Sequence, residues 1–468
     1  MKKKLFTLLL VAIGLAACDW IPQPSIKLSV SKSVIYCQLP SDGSGSAIAS
    51  ATLRVTCSHP WTLNETEEVT ASVYSGTGAV DVVISFDTEN FGTPEYGAFI
   101  ETLVFSSSQG DVCEVPLYYF HPLTKDDFNG PLFADFCFDN FDKDEDELLS
   151  LEEVMAVTTI NVNNLGLTLM EGIGYFKNLN QLRCTHNGLE VLDLTGLINL
   201  LDLYCSNNYL TELDLTGLNS LKTVFCNNNN LRELVLTGLI NLHTLNCYIN
   251  NLEYLDLKGL NNLYQLECSR NGLTELNLTG LSKLTTLYCG ENDLTNLNLT
   301  GLSNLQILSC FDNCLEELDL TGLNNLITLT CYENYLEELD LTGLSSLKTL
   351  NCKNNLLEEL DLTWLGRLEG LSCHNNYLKK LDLTGLDRLT TVYCANNDLK
   401  ELDVSATPNL TTLQCGNNNT ALTVWVNSST VLGEGSGQLA VWPYTSSTPI
   451  TVKGEAGTIR YVTVENKI

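Results

Sequence analysis

The sequence predicts a mostly β protein in which a β-sandwich is followed by a solenoid of about twelve 21-residue turns and a β cap. Twelve cysteines recur every 21 residues from Cys184 to Cys415, and each has an asparagine three positions later. So strict a repeat indicates units that stack on their neighbours instead of folding around one globular core. Ahead of the repeats, short alternating apolar runs separated by turn residues indicate a separate sheet domain.

The N-terminus has the features of an exported bacterial protein. In residues 1–17, three lysines precede an apolar run that is too short to span a bilayer and is typical of a secretory signal peptide. The run ends in Leu15-Ala16-Ala17-Cys18, which resembles a bacterial lipobox. This resemblance implies that Cys18 becomes the lipidated first residue of a linker at 18–24, anchored in the bacterial cell envelope, at the outer membrane or the cell surface. An ordinary signal peptide with an incidental cysteine is the alternative.

Residues 25–121 form the predicted sandwich. Runs such as Ile26-Lys27-Leu28-Ser29-Val30 alternate apolar and polar residues, and about a hundred residues with this spacing suggest an immunoglobulin-like fold. The run Val55-Thr56-Cys57-Ser58-His59-Pro60-Trp61, followed by Ser75-Gly76-Thr77-Gly78, resembles a BACON domain. The usual closing Gln of that family is replaced here by Pro116-Leu117-Tyr118-Tyr119-Phe120. The resemblance implies either a spacer or a glycan-binding module.

The segment 122–178, which also caps the solenoid, contains an acidic run that resembles an EF-hand calcium loop. Its oxygen donors stand at the first, third, fifth, seventh, ninth and twelfth loop positions, the seventh through its carbonyl: Asp142, Asp144, Asp146, Leu148, Ser150 and Glu153. The resemblance implies a bound Ca²⁺ that braces the joint between sandwich and solenoid. Glu147 departs from the pattern, because glycine normally supplies the sharp turn there. The alternative is a simple helix start, since Ser150 and Glu153 also form a capping box.

Residues 179–421 are predicted to form the solenoid. One turn reads Leu284-x-x-Leu287-x-Cys289-x-x-Asn292-x-Leu294-x-x-Leu297-x-Leu299 and resembles the leucine-rich repeat, with cysteine in the third apolar slot. In both halves of the turn, apolar residues alternate with polar ones as in a half-buried strand. We therefore expect β or extended backbone on both sides of each turn, as in the short bacterial leucine-rich repeats, and closing strands in the cap at 422–468.

The repeated asparagines and cysteines are predicted to be structural. An inward asparagine must bond backbone groups, because an unpaired buried amide costs about 1–3 kcal/mol. Thiols in one column cannot converge on a zinc ion, and their Cβ atoms, about 4.8 Å apart, exceed the roughly 3.8 Å that a disulfide prefers. We expect reduced thiols that act as small hydrophobes. Outside the ladder, Cys37, Cys57 and Cys113 share one domain and allow at most one disulfide, whose pairing is open.

Residues directly before and after the ladder cysteines share the outward face of the first strand. Seven of them are aromatic: Tyr204, Phe225, Tyr248, Tyr288, Phe311, Tyr332 and Tyr393. Because exposed apolar patches mark contact sites and tyrosine is favoured in interfaces, we predict that this stripe binds a ligand. Stacking between turns that only stabilises the solenoid is the alternative.

The second strand of most turns carries an aspartate between its leucines, from Asp193 to Asp403. We expect these aspartates to accept hydrogen bonds within their own turn. Six glutamates add negative charge in three successive turns: Glu316, Glu317, Glu337, Glu338, Glu358 and Glu359. This side is predicted to be a solvated face, with a docking surface for a basic partner as the alternative.

Composition and motifs limit the possible functions. The formal net charge of -31 argues against nucleic-acid or anionic-lipid binding by electrostatic attraction. The five histidines are scattered, and the sequence has neither a nucleophile motif nor a glycine-rich phosphate loop, so we expect no enzyme. The leading hypothesis is a lipid-anchored envelope protein whose first-strand face binds a host or envelope protein, as an internalin-like adhesin would. The alternatives are a glycan-binding accessory protein of a nutrient-uptake system and a structural spacer.

Overall fold

The computed structural model describes residues 28–31, 35–38, 48–65, 69–87, 99–120, 122–418, 422–426, 440–442, 451–454 and 459–461. Two compact units divide at Ala156/Val157, apart from Asn129–Phe133, which belong to the second unit. The segment 122–178 is thus shared between the two units. The predicted signal peptide and Cys18 lie outside the described residues, as does the side chain of Cys37. No helix in the described ranges is long and apolar enough to cross a bilayer.

The first unit contains a seven-stranded sheet. Its strands are β1 (Ser29–Val30), β2 (Ile35–Gln38), β3 (Ile48–Leu63), β4 (Val69–Ala71), β5 (Ser75–Asp87), β6 (Phe99–Ser107) and β7 (Val112–Phe120). The order is β2-β7-β6-β3-β5-β4, with β1 paired to β3. Strand β2 pairs with both β7 and β3, so the pairings β2–β7–β6–β3 close into a ring. The division into two facing sheets of an immunoglobulin-like fold stays a prediction.

Alternation along β3 builds the core of this unit. Leu53, Val55 and Cys57 are buried, whereas the residues between them face outward or are half-buried. Beyond an irregularity in the β3–β5 pairing, Trp61 packs against Phe105 with ring centroids 6.0 Å apart. Gly76 is required beside this ring, because a Cβ there would lie 2.8 Å from Trp61 Cζ2. The glycine and tryptophan of the BACON-like pattern therefore form one packing contact.

The first unit ends in a helix–loop–helix. A 3₁₀ helix at Lys125–Asp127 precedes α1 (Pro131–Phe141), and α2 (Leu151–Ala156) follows an acidic loop. Leu149 at the end of this loop forms an antiparallel bridge with Leu123, in which each backbone N–H donates to the other carbonyl, at 2.8 and 2.9 Å. The loop therefore has a fixed backbone at its exit.

The second unit is the solenoid, built on a fourteen-stranded parallel sheet. Its strands are β8 (Thr159–Asn161), β9 (Gln181–Arg183), β10 (Asp202–Tyr204), β12 (Thr223–Phe225), β14 (Thr244–Asn246), β15 (Gln265–Glu267), β16 (Thr286–Tyr288), β17 (Ile307–Ser309), β18 (Thr328–Thr330), β19 (Thr349–Asn351), β20 (Gly370–Ser372), β21 (Thr391–Tyr393), β23 (Thr412–Gln414) and β25 (Ala440–Trp442). Equivalent residues of neighbouring turns pair in register, for example Leu287 with Leu308. β8 and a 3₁₀ helix at Ile173–Tyr175 precede the first full repeat.

The second side of each turn is less regular than the first. Strands occur there only at two places in the described chain. One is the pair β11 (Glu212–Asp214) and β13 (Glu233–Val235), and the other is the sheet of β22 (Glu401–Asp403), β24 (Thr423–Val426), β26 (Thr451–Gly454) and β27 (Ile459–Tyr461). In the other described turns the second side has no assigned strand. The sequence predicts β or extended backbone on both sides of each turn, and the structure has strands mainly on the first side.

Candidate functional site

The inward asparagines tie successive turns together. In Asn292, the side-chain Nδ2 donates to the carbonyls of Cys289 and Cys268 at 3.1 and 3.2 Å, while Oδ1 accepts from the N–H of Leu273 at 3.1 Å. The same three bonds recur in every turn from Asn208 to Asn418. This confirms the prediction that the asparagine side chains are structural and hydrogen-bond the backbone.

The ladder cysteines are buried and free. Burial raises the pKa of Cys184, Cys310 and Cys352 to about 12, and that of others further above the usual range. The Cys268 thiol lies 3.5 Å from the carbonyl oxygen of Tyr288 in the next turn. Thiolate chemistry is therefore suppressed, as expected for thiols that serve as small core residues. In the first unit, Cys57 and Cys113 are also free.

The second residue after each ladder cysteine adopts a left-handed backbone, with φ between 50 and 58° from His186 to Asn417. Six of these residues are asparagines, which tolerate this conformation best after glycine. Asparagines at these positions in neighbouring turns also bond each other, as Asn228 does to Asn207 and Asn396 to Asn375. Ile249 occupies one of these positions despite its branched Cβ. The sequence did not reveal that these asparagines form a second column with a left-handed backbone.

The seven predicted aromatic residues all lie on the first-strand face, but in two columns. Four of them precede a ladder cysteine and three follow one. Six are half-buried, and Tyr393 is 36% exposed. The columns are occupied as follows: Tyr204, Phe225, Tyr288 and Tyr393 before the cysteine, and Tyr248, Phe311 and Tyr332 after it. The face therefore carries separate aromatic groups and not one continuous stripe.

Two of these groups are built alike, as an aromatic pair with a cation at one end. Tyr204 and Phe225 stack with ring centroids 5.4 Å apart, and the Arg183 guanidinium lies 4.2 Å from the Tyr204 centroid. Phe311 and Tyr332 stack in the same way with ring centroids 4.6 Å apart, and Lys353 Nζ lies 4.4 Å from the Tyr332 ring centroid.

These stacks join neighbouring turns, as expected if the rings serve to stabilise the solenoid. Each ring nevertheless remains only half-buried, and the tyrosine of each pair lies beside a cation. Gly290 makes room for Phe311, because a Cβ there would be 2.5 Å from its Cε1.

Charges on the first-strand face are largely compensated. Arg270 donates to Glu291 at 2.6 Å and lies 5.7 Å from the Tyr248 ring centroid. Lys353 Nζ is 3.9 Å from the Glu333 carboxylate. Glu267 is half-buried, and this burial raises its pKa even though its carboxylate accepts a bond from the Ser269 N–H. The face thus combines aromatic edges with paired charges, an arrangement suited to recognising another surface.

The second side presents carboxylates in a different setting. The aspartates bond within their own turn as predicted: Asp319 Oδ1 accepts from the Thr321 N–H at 2.9 Å, and Asp340 does the same with Thr342. Hydrogen bonds from the threonine side chain and backbone lower the pKa of both aspartates.

Beside these aspartates lies a groove of about 750 Å³. It is lined by Glu316, Glu317, Leu318, Asp319, Tyr335, Glu337, Glu338, Asp340 and Leu356. Tyr335 in this groove is 55% exposed and had not been singled out from the sequence, because it lies outside the two positions flanking the cysteine. Only its recurrence in register with Tyr377 could have signalled it.

The acidic loop brings three of its predicted ligands together. One carboxylate oxygen from each of Asp142, Asp144 and Asp146 lies within 4.8 Å of the others. Burial, followed by repulsion from the neighbouring carboxylates, raises the pKa of Asp144. Glu147, in the usual glycine position, adopts φ 64° and so makes the sharp turn despite its side chain.

The twelfth loop residue serves as a helix cap. Both Glu153 carboxylate oxygens accept bonds, from Lys143 N–H at 2.7 Å and from the N–H and hydroxyl of Ser150 at 2.9 and 2.8 Å. These bonds lower its pKa against the opposing effect of burial. The helix-start alternative is therefore realised. The donor set still consists of hard oxygens on a helix–loop–helix, which is the chemistry that suits Ca²⁺.

Comparison with known proteins identifies the solenoid fold. No protein-family model and no curated protein matches the chain. An internalin, InlF, of Listeria monocytogenes aligns with TM-score 0.58 and 22% identity over 64% of this chain and 92% of that chain. The functional domain of InlJ from the same species, described as including a cysteine ladder, aligns with TM-score 0.51 and 28% identity over 67% of this chain and 84% of that chain. A leucine-rich-repeat protein of Leptospira interrogans aligns with TM-score 0.51 and 26% identity over 57% of this chain and 80% of that chain.

These similarities establish a leucine-rich-repeat solenoid. Such repeats are protein-interaction scaffolds that are typically non-enzymatic, and the internalin neighbours share that architecture. The InlJ domain also matches in the cysteine ladder that its description prints. The fold therefore directs attention to outward surfaces and not to a catalytic centre.

Proposed function

We propose that this protein is a lipid-anchored component of a bacterial cell envelope that binds another protein through the first-strand face of its solenoid. The observation that carries the proposal is the repeated aromatic pair with an adjoining cation, in Arg183–Tyr204–Phe225 and Phe311–Tyr332–Lys353. Tyrosine and arginine dominate the binding energy of protein interfaces. Arg183, Tyr204 and Phe225 are the last residues of hydrogen-bonded parallel strands, and Phe311, Tyr332 and Lys353 each lie two residues beyond the end of such a strand. A rigid platform of this kind lowers the entropy lost on binding.

The adhesion role rests on the internalin neighbours and on the lipobox-like sequence before Cys18. A protein held by lipid at the outer membrane or cell surface would present the solenoid to host or envelope proteins. Protease added to intact cells tests this directly. Cleavage without permeabilisation supports surface exposure, whereas protection until the outer membrane is permeabilised leaves only a periplasmic partner.

The binding face is tested with paired substitutions. Phe311→Ala with Tyr332→Ala removes one aromatic group, while Tyr209→Ala removes a 60% exposed tyrosine elsewhere on the solenoid. We expect cross-linking to the native partner on cells to be lost in the first variant and kept in the second. Equal cross-linking in both variants contradicts the proposed face.

The same variants distinguish the glycan alternative. Exposed aromatic faces also stack on sugars, and the amides of Asn246 and Asn351 lie on this face. Binding to a glycan array that disappears in the Phe311/Tyr332 variant, with no protein cross-link in the wild type, would make the protein a glycan-binding accessory of nutrient uptake. No interaction of either kind would leave the role of a structural spacer.

We also propose that the acidic loop binds Ca²⁺ through Asp142, Asp144 and Asp146, with Glu153 and the Leu148 carbonyl as further donors. Ca²⁺ would relieve the repulsion among these carboxylates and stiffen the turn between α1 and α2. Glu147→Gly removes a side chain from a left-handed position, so it should tighten Ca²⁺ binding in calorimetry. Asp144→Asn should weaken it, and Ca²⁺ heats that are unchanged by both substitutions contradict a site in this loop.

A further inference from the structure

A second surface of the solenoid has features that the aromatic face does not explain. In four successive turns, the residue after the inward asparagine is apolar and at least partly exposed: Cys314, Tyr335, Leu356 and Tyr377. Tyr335 and Tyr377 are 55% and 52% exposed. Exposed apolar residues in register over several turns form a contiguous patch, and such patches mark contact sites. We call these four residues the apolar column.

The groove beside this column has acidic walls. Glu316, Glu317, Glu337 and Glu338 line it together with Asp319 and Asp340, and Tyr335 and Leu356 lie among them. None of the four glutamates forms an ion pair with any residue that the structure describes. The neighbouring turn differs, because Lys379 pairs with Glu358 at 2.5 Å. Six carboxylates beside an apolar surface concentrate a negative potential that only an external cation can offset.

This charge pattern contrasts with the first-strand face. There Arg270 and Lys353 lie beside Glu291 and Glu333, so these two carboxylates already have cationic partners. In the groove, the two aspartates are held by threonine N–H groups of their own turns, and the glutamates extend freely. A cationic partner can therefore bind in the groove without displacing an ion pair of the four glutamates.

We propose that this groove docks a lysine- or arginine-rich segment of a partner protein, with an apolar side chain of that segment packed on Tyr335 and Leu356. Arginine fits this setting well, because its guanidinium pairs with carboxylates and also stacks on tyrosine rings. The site is separate from the aromatic groups of the proposed function, so either surface can fail without the other. A basic segment bound here leaves the first-strand face open to a second contact.

The test uses a dye-labelled hexapeptide of alternating arginine and leucine, with fluorescence anisotropy on the intact chain. The groove variant carries Glu316→Gln, Glu317→Gln, Glu337→Gln and Glu338→Gln. The control carries the same number of changes at exposed glutamates of other turns: Glu190→Gln, Glu253→Gln, Glu275→Gln and Glu401→Gln. Binding should weaken about tenfold or more in the groove variant and less than about twofold in the control. Equal weakening in both would mean attraction to net charge only and would overturn the proposal.

The apolar component and the nature of the cation are tested separately. Tyr335→Ala should weaken the arginine–leucine peptide about threefold or more, whereas Tyr209→Ala, in the same register of another turn, should not. Calorimetry with CaCl₂ alone examines the inorganic alternative. Ca²⁺ binding that is lost in the groove variant, together with no peptide binding by the wild type, would make the groove a cation site and overturn the docking of a basic segment.

Discussion

The first and second sides of each solenoid turn come from one 21-residue repeat, yet they are held together differently. On the first side, a parallel sheet and the inward asparagines bond each turn to the next. On the second side, Asp319 and its equivalents bond within their own turn. Bonds between turns stabilise the stack, whereas bonds within a turn leave the outer surface free to vary in charge. The regular hydrogen bonding between turns is therefore concentrated on the first side, and the acidic groove lies on the second.

Alkaline pH should destabilise the first side most. The pKa values of Cys184 and Cys310 are raised to about 12, above the roughly 8.5 of an unfolded thiol. A raised pKa leaves stability intact below the unfolded value and removes it as pH rises above that value. The loss is about 1.4 kcal/mol per pH unit for each thiol involved. With twelve ladder cysteines, the urea midpoint under reducing conditions should fall steeply between about pH 8.5 and 10.

The pKa values of Asp319 and Asp340 on the second side are lowered by hydrogen bonds from threonine, so the alkaline loss of stability comes from the thiols of the first side. Cys289→Ala should shift the urea midpoint at pH 7. It should also make the midpoint fall less steeply with pH in the alkaline range, because one titrating thiol is removed. A midpoint that stays constant from pH 7 to 10 contradicts ladder thiols that remain protonated in the fold.

Loss of an inward asparagine should be the largest single-residue effect. Asn292→Ala removes four hydrogen bonds and leaves the Leu273 N–H without its acceptor, so the free energy of unfolding should fall by about 3 kcal/mol. The matched change on the second side is Asn298→Ala, where an exposed Oδ1 accepts one bond from Thr300. It should cost less than about 1 kcal/mol. Similar costs in urea denaturation would remove the distinction between the two sides.

A smaller effect is expected where the first side makes room for an aromatic ring. Gly290→Ala places a Cβ against Phe311 and should cost about 2 kcal/mol through displacement of that ring. Gly370→Ala is the control, since a Cβ there meets no atom within 4 Å. The control should be neutral or slightly stabilising in thermal unfolding. Unfolding temperatures that fall equally would show that the glycine backbone matters and the ring does not.

The smallest effect concerns the left-handed column. Ile249→Asn replaces a β-branched residue at φ 50° and should raise the free energy of unfolding by about 1 kcal/mol. The introduced amide would also stand in register to extend the Asn207–Asn228 bond. Ile240→Asn, at a 58% exposed position without positive φ, serves as the control and should give no gain. A gain at both positions would mean that removing an exposed apolar side chain matters and backbone conformation does not.

The predicted binding residues illustrate the reach of sequence reasoning. Alternation along a strand correctly placed Tyr204 and Tyr332 on the outward face, because side chains of a strand alternate strictly. It could not say which rings meet, since contact depends on the column and on the small residue beneath, as Gly290 beneath Phe311 shows. The exposed Tyr335 was missed, because no strand period covers the turn after the asparagine.

The acidic loop shows the same division. The resemblance to an EF-hand loop selected Asp142, Asp144 and Asp146, and the structure brings their oxygens together. The departure at Glu147 could be read from the sequence, but its left-handed φ could not. The sequence allowed Glu153 to be either a calcium ligand or part of a helix cap. Its hydrogen bonds with Ser150 show that the cap is formed.

The sequence by itself determined the period and register of the turns, the inward asparagines and the buried thiols. Each of these follows from a period of 21 residues, since identical neighbours must make identical contacts. The fourteen-stranded sheet extends beyond the twelve predicted turns at both ends. Only the tertiary structure decided which carboxylates find a cation, which rings stack and where an apolar column stays exposed. Those properties depend on side chains from different turns that share no local pattern and meet only when the turns are stacked.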